Sequence, residues 1–178
     1  LLARLPGQLA TYAPQATSIM IGTNDAGNAV PLATTVANIT ACVRAAKKYG
    51  PVVLCTIPSR GSAATTAIKR ATTAINQWIR AYGPSLGCTV ADVATAVTDS
   101  TTGNLLAAYN FDDIHPTTAG HAAIGAVVAT AMTSTSRRVA PFGLVTSVDQ
   151  GNGIADPLNT RATPDGTGWF EWAGGTGT

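Results

Sequence analysis

Charge is what this sequence has least of. Only 11% of its 178 residues are Asp, Glu, Lys or Arg, against 46% hydrophobic, a balance that excludes a self-repelling disordered chain and fits a packed interior. The net charge is +2, with the cations dispersed along the chain, so no nucleic-acid footprint is present. Cysteine is scarce as well: Cys42, Cys55 and Cys88 are odd in number and lie in apolar runs, which argues for buried free thiols and against a disulfide framework. Two histidines without a spaced Cys/Asp cluster fall short of the usual metal-ligand sets. No run reaches the roughly 20 apolar residues that span a bilayer; the nearest, residues 119–132, is interrupted by His121. No internal repeat is present, and the length suits one compact domain with a short extra piece.

Against that background the apolar residues are ordered. Residues 16–21, 52–57 and 88–93 are short apolar stretches, rich in β-branched residues, that end in turn-forming residues, the pattern of strands buried on both faces. Between them Val36, Ile39, Cys42, Val43 and Ala46 keep one helical face up to the Gly50-Pro51 stop. Ile68, Ile75, Trp78, Ile79 and Tyr82 keep another, with Ser62 as a possible cap and Gly83-Pro84 as its end. A third helix is expected from about Thr117, with Ile124, Val127, Val128 and Met132 inward. Strand alternating with helix predicts an α/β fold, a parallel sheet with right-handed crossovers whose strand ends share one edge, where ligands bind. Beyond Arg138 the composition turns to Gly, Thr, Pro, Asp and Trp. The expected organisation is a domain over residues 1–138, a linker over 139–156 and the start of a β-rich module over 157–178. Trp169 and Trp172 would serve that module as buried aromatics or as a sugar-stacking surface.

Two short motifs carry chemistry. The first strand runs into Gly22-Thr23-Asn24-Asp25: a glycine there lets the backbone turn tightly, and the amide of Asn24 then projects over the sheet edge as a donor able to stabilise an oxyanion. The second is Phe111-Asp112-Asp113-Ile114-His115-Pro116, just before the last helix. A carboxylate three residues ahead of a histidine can hold its Nδ1–H and leave Nε2 free as a base. Asp113 is the alternative acid. His121, one turn into the helix, is expected to face solvent or pack on the strand edge.

Together these motifs resemble the third and fifth sequence blocks of the SGNH, or GDSL, hydrolase family. The resemblance spans about residues 1–132. It implies a flavodoxin-like three-layer α/β/α fold with a parallel sheet, His115 as general base, Asp112 as its orienting acid, Asn24 as an oxyanion donor, and Gly22 and Thr23 beside the substrate. It implies ester hydrolysis through an acyl-serine with no cofactor; which ester is left open, since acylated carbohydrate, lipid and small aryl esters all suit the same catalytic set. The departure is large: the family's Gly-Asp-Ser block, source of the nucleophile, occurs nowhere in the 178 residues, and the expectation is a serine upstream of Leu1. Ser59, just past the second strand, lacks the glycine-lined turn that exposes a nucleophile. Two further classes stay open: a non-catalytic carbohydrate-binding module on the same fold, and a structural segment of a surface, extracellular or virion assembly.

Overall fold

A computed structural model describes residues 3–139, 160–162 and 170–172, with side chains through residue 135. In chain order the elements are α1 (Leu5–Tyr12), β1 (Thr17–Ile19), α2 (Thr23–Gly27), α3 (Leu32–Ala46), β2 (Val52–Cys55), α4 (Thr66–Tyr82), β3 (Thr89–Ala91), α5 (Val93–Val97), α6 (Thr118–Val139), β4 (Thr160–Ala162) and β5 (Phe170–Trp172). Contacts divide the chain into two units, Leu1–Thr135 and Ser136–Thr178.

In the first unit β1, β2 and β3 form a parallel sheet in that order, with Ile19 opposite Leu54 and Cys55 opposite Ala91. All four residues of β2 are buried, and their alternation divides the core. Val52 and Leu54 pack with Leu5 and Leu9 of α1, Ile39 and Val43 of α3, and Ile75 and Ile79 of α4. Val53 and Cys55 pack on the other face with Val93 and Val97 of α5 and Ile124 and Ala131 of α6. The result is the expected three-layer α/β/α arrangement. The three cysteines are buried and free, and burial pushes the Cys55 thiol up to about 11.

The helices follow their apolar stripes with local adjustments. Thr35, Ile39, Cys42, Val43 and Ala46 form the buried stripe of α3. Helix α4 is capped by Thr65, whose side chain accepts the Ile68 N–H at 3.3 Å, not by Ser62. The Ser62 carbonyl is instead held by Lys69 Nζ, which keeps that residue in the preceding turn. Tyr82 is 55% exposed, not inward: one turn beyond Trp78, at the rim of the stripe, it lays its ring 5.8 Å from the indole and leaves the rest in solvent. Helix α6 begins at Thr118, with Thr117 Oγ1 accepting the Gly120 N–H, and its inward face is Ile124 and Ala131 with Val127, Val128 and Met132 packed beside them.

The strands are shorter than the apolar stretches that announce them. After Cys55 the chain leaves the ladder because Ile57 finds both backbone partners on one side chain: its N–H donates to Asn76 Oδ1 and its carbonyl accepts from Asn76 Nδ2, each at 2.8 Å. In the second unit β4 and β5 pair antiparallel, with Arg161 opposite Glu171. The expected linker, residues 139–156, lies outside the described residues except for Val139 at the end of α6. Trp169 lies outside them too. No described helix is long and apolar enough to cross a membrane.

Candidate active site

Both motifs stand where the chain leaves the sheet edge or returns to it. Gly22 takes φ 120°, a conformation that side-chain-bearing residues rarely adopt, although a Cβ there would meet Ile75 and Ile57 only at ordinary contact distance. The turn it permits opens directly into α2, where the Gly22 carbonyl accepts the Ala26 N–H. Asn24 is exposed, and its amide makes no hydrogen bond to the described residues, so its two N–H groups are available to a ligand. Thr23 is half-buried, and its carbonyl accepts a 2.8 Å hydrogen bond from Arg60 Nη2.

The turn before α6 is built around Asp112. One carboxylate oxygen, Oδ1, accepts the backbone N–H of His115 at 2.7 Å and of Ile114 at 3.1 Å. The other, Oδ2, lies 2.7 Å from His115 Nδ1. The hydrogen bond from the imidazole, followed by that from the His115 backbone, holds the Asp112 carboxyl at about 2, so it is ionised at neutral pH and can only accept. Nδ1 must then carry the proton, which leaves Nε2 of a neutral His115 as the unprotonated nitrogen. The imidazole is 70% exposed, open to a reacting partner.

Asp113 does something different. At φ 67° it turns away from the imidazole, and its Oδ1 accepts from the Ala63 N–H at 3.3 Å and from Asn110 Nδ2 at 3.4 Å. Its own N–H donates to Asn110 Oδ1, and its carbonyl accepts the Gly61 N–H at 3.0 Å. This residue fastens the turn to the segment after β2. Of the two neighbouring acids, Asp112 is the one facing the ring.

Asn24 makes no hydrogen bond to Asp112 or His115. What joins the two motifs is the dipeptide Arg60-Gly61: Arg60 holds the Thr23 carbonyl, and Gly61 holds the Asp113 carbonyl. Consecutive Cα atoms lie about 3.8 Å apart, so the two turns flank the same short stretch of chain. Ser59, the residue before, has its Oγ 2.6 Å from Thr98 Oγ1 and is not hydrogen-bonded to His115. His121 is exposed. A cavity of about 300 Å³ opens beside Ser59, Asn76, Arg80, Thr95 and Thr98, and none of Asn24, Asp112 and His115 lines it. Among the described residues no group of three or more His, Cys, Asp or Glu side chains could hold a metal ion.

Sequence reasoning did not find Arg60, Asn76 or the hub at Asp92. Asp92 caps α5 and accepts from Arg80 Nε and Nη2, Thr95 and Thr56. Partial burial raises its carboxyl most, but the hydrogen bonds from Arg80, Thr95 and Thr56 and the Arg80 charge outweigh it and hold the group at about 2. These residues lie in helices and loops without a motif, and apart from the local Asp92–Thr95 contact their side chains find partners 12 to 37 positions away.

Solved structures share this architecture. A GDSL-like lipase from Bacteroides thetaiotaomicron is 22% identical with a TM-score of 0.66, over 75% of this chain and 69% of that one. An acetylxylan esterase from Geobacillus stearothermophilus is 20% identical with a TM-score of 0.62, over 72% of this chain and 64% of that one. An α/β hydrolase from the metagenome of Lake Arreo in Spain is 21% identical with a TM-score of 0.63, over 74% and 65%. No curated protein sequence matches the chain. At these identities the likeness establishes the fold, a three-layer hydrolase architecture of which this chain spans about two thirds. Residues 1–123, more than half of the sequence, match the model of the GDSL-like lipase/acylhydrolase family, and the chain belongs to that family.

Proposed function

We propose that residues 1–138 form the acid–base and oxyanion portion of a serine ester hydrolase. His115 takes the proton of a serine hydroxyl at Nε2 and later passes it to the leaving alcohol. Asp112 holds the ring in the tautomer this needs, and Asn24 donates to the tetrahedral oxyanion, with Gly22 and Thr23 shaping the backbone beside the acyl group. The nucleophile comes from a Gly-Asp-Ser block that the 178 residues do not contain. The substrate class is a carboxylic ester of an acylated carbohydrate or a lipid; the acetylxylan esterase among the structural neighbours favours the former. Residues 157–178, which contain the antiparallel pair β4 and β5, belong to a β-rich accessory module. The observation that carries this reading is the 2.7 Å contact between Asp112 Oδ2 and His115 Nδ1, in a turn whose carboxylate is ionised and whose imidazole is open.

Aryl acetate turnover and labelling by a fluorophosphonate probe test it, on the 178-residue chain and on the chain read with its upstream coding sequence. The expected result is no labelling of the short chain. The longer one should be labelled at the serine of Gly-Asp-Ser, with turnover abolished by His115→Ala. Turnover in the longer chain that survives His115→Ala, or labelling of Ser59 that depends on His115, refutes it.

A further inference from the structure

We propose that Arg60 and Gly61 are positioning residues that hold the Asn24 turn and the Asp112–His115 turn in register, an inference that rests on the hydrolase reading above. Arg60 is 7% exposed, and its guanidinium is permanently cationic. It nevertheless has no carboxylate partner among the described residues. Its side chain makes one hydrogen bond, from Nη2 to the Thr23 carbonyl at 2.8 Å, and its Nε has no partner. Nη2 also lies near Gly27, where a Cβ would approach it to 3.0 Å, so the same nitrogen stands close to the first and the last residue of α2.

A buried cation with one hydrogen bond is a net cost to folding. Its presence is explained by what that bond fixes: the carbonyl immediately before Asn24, and so the direction in which the Asn24 amide projects. The backbone of the same residue is fixed independently, because its carbonyl accepts the Leu105 N–H at 2.9 Å. The next residue reaches the other motif. Gly61 is buried, its N–H donates to the Asp113 carbonyl, and a Cβ on it would overlap the Asp113 carboxylate and stand 2.7 Å from Asp113 Cα. Only a glycine lets the histidine turn approach this closely. The two contacts, one residue apart, set the spacing between donor and base, on which acyl transfer depends steeply.

The test is nuclear magnetic resonance of the isotopically labelled 178-residue chain, with melting temperatures of the same samples. Arg60→Met removes the buried charge and keeps the volume. It is expected to melt within about 2 °C of the original chain or above it, while the Asn24 backbone and side-chain amide signals shift and those of exposed His121 stay in place. Arg60→Lys should bring the Asn24 signals part of the way back. Gly61→Ala should disturb the His115 ring nitrogens and end the single Nδ1–H form. Loss of the fold in Arg60→Met, Asn24 signals unmoved by it, Arg60→Lys no nearer the original than Arg60→Met, or His115 ring signals unmoved by Gly61→Ala overturns the proposal. In a chain that turns over aryl acetate, Arg60→Met should lower kcat about ten- to a hundredfold with KM within about twofold, since losing an oxyanion donor altogether costs about 10²–10³. If turnover there proves indifferent to His115→Ala, the hydrolase reading fails, and the resonance shifts still judge the positioning role.

Discussion

Replacing Asn76 by alanine isolates the interaction that ends β2 and launches the chain toward both motifs. Asn76 is 4% exposed and Ile57 is fully buried, and the amide satisfies both the N–H and the carbonyl of Ile57 at 2.8 Å. Alanine removes neither backbone group; it orphans both at a position that is only 4% exposed, beside the cavity that Asn76 lines. Each stranded backbone group costs about 1–3 kcal/mol, so Asn76→Ala should destabilise the domain by about 2–6 kcal/mol. The lower end applies if a water enters the vacated space and bonds both groups. For a domain of this size about 3 kcal/mol lowers the melting temperature by roughly 10 °C.

The measurement is urea unfolding followed by far-ultraviolet circular dichroism, with Gln77→Ala as the reference. Gln77 is the exposed neighbour on α4, and its substitution should stay within about 0.5 kcal/mol of the original chain. Asn76→Asp sharpens the comparison: it keeps an acceptor for the Ile57 N–H but loses the donor and buries a charge, so at neutral pH it should cost more than alanine. An Asn76→Ala chain as stable as Gln77→Ala would mean that the Ile57 groups are satisfied otherwise. The account of why β2 stops at Cys55 would then be wrong.

Two further outcomes follow from the polar hubs. Asp92 has its folded pKa depressed to about 2 from 3.8, so its contribution is fully present above about pH 4 and is lost as pH falls through 2. The shift corresponds to more than 2 kcal/mol at face value, but with the carboxylate 39% exposed solvent screening reduces it to about 1 kcal/mol. Asp92→Asn should therefore be less stable than the original chain by about 1 kcal/mol in denaturant titrations at pH 6 and by only a small fraction of that at pH 2, where the folded carboxyl is about half protonated; a difference as large at pH 2 as at pH 6 refutes the assignment. In a catalytically competent chain, Asp112→Asn should lower kcat by about 10⁴, the cost of losing the tautomer in a serine triad, and Asp113→Ala by less than about tenfold. The reverse order would make Asp113 the acid.

The layer architecture was legible because it rests on period and burial alone. A run such as Val52-Val53-Leu54-Cys55 between helical stripes has few alternatives to a central parallel strand. The strand ends were not legible, because what terminates β2 is an amide 19 residues away, and no local signal announces a side chain that replaces a ladder partner. The cap of α4 failed for a related reason. Ser62 and Thr65 both suit an N-cap by type, and the choice falls to Lys69, which takes the Ser62 carbonyl. At the site, spacing placed a carboxylate within reach of His115 but left two neighbours to choose from. The choice depends on the left-handed backbone of Asp113 and on its bonds to Gly61 and Ala63, which are 50 or more positions back in the chain.

Those long-range bonds share one origin. Along the segment after β2, Thr56 reaches Asp92, Ile57 reaches Asn76, Ser59 reaches Thr98, Arg60 reaches Thr23 and Leu105, and Gly61 and Ala63 reach Asp113. Nearly every bond leads to a different element, so this stretch ties together turns that share no hydrogen bond with each other among the described residues. Substitutions within it are therefore expected to act on both motifs together. The side chains of Phe111 and Ile114, 77% and 43% exposed beside His115, make none of these bonds, so on the proposed reading their substitution should alter chiefly what a substrate meets. On the hydrolase reading proposed above, this division would let the outer surface of the histidine turn vary while Arg60 and Gly61 hold the spacing of base and oxyanion donor from beneath.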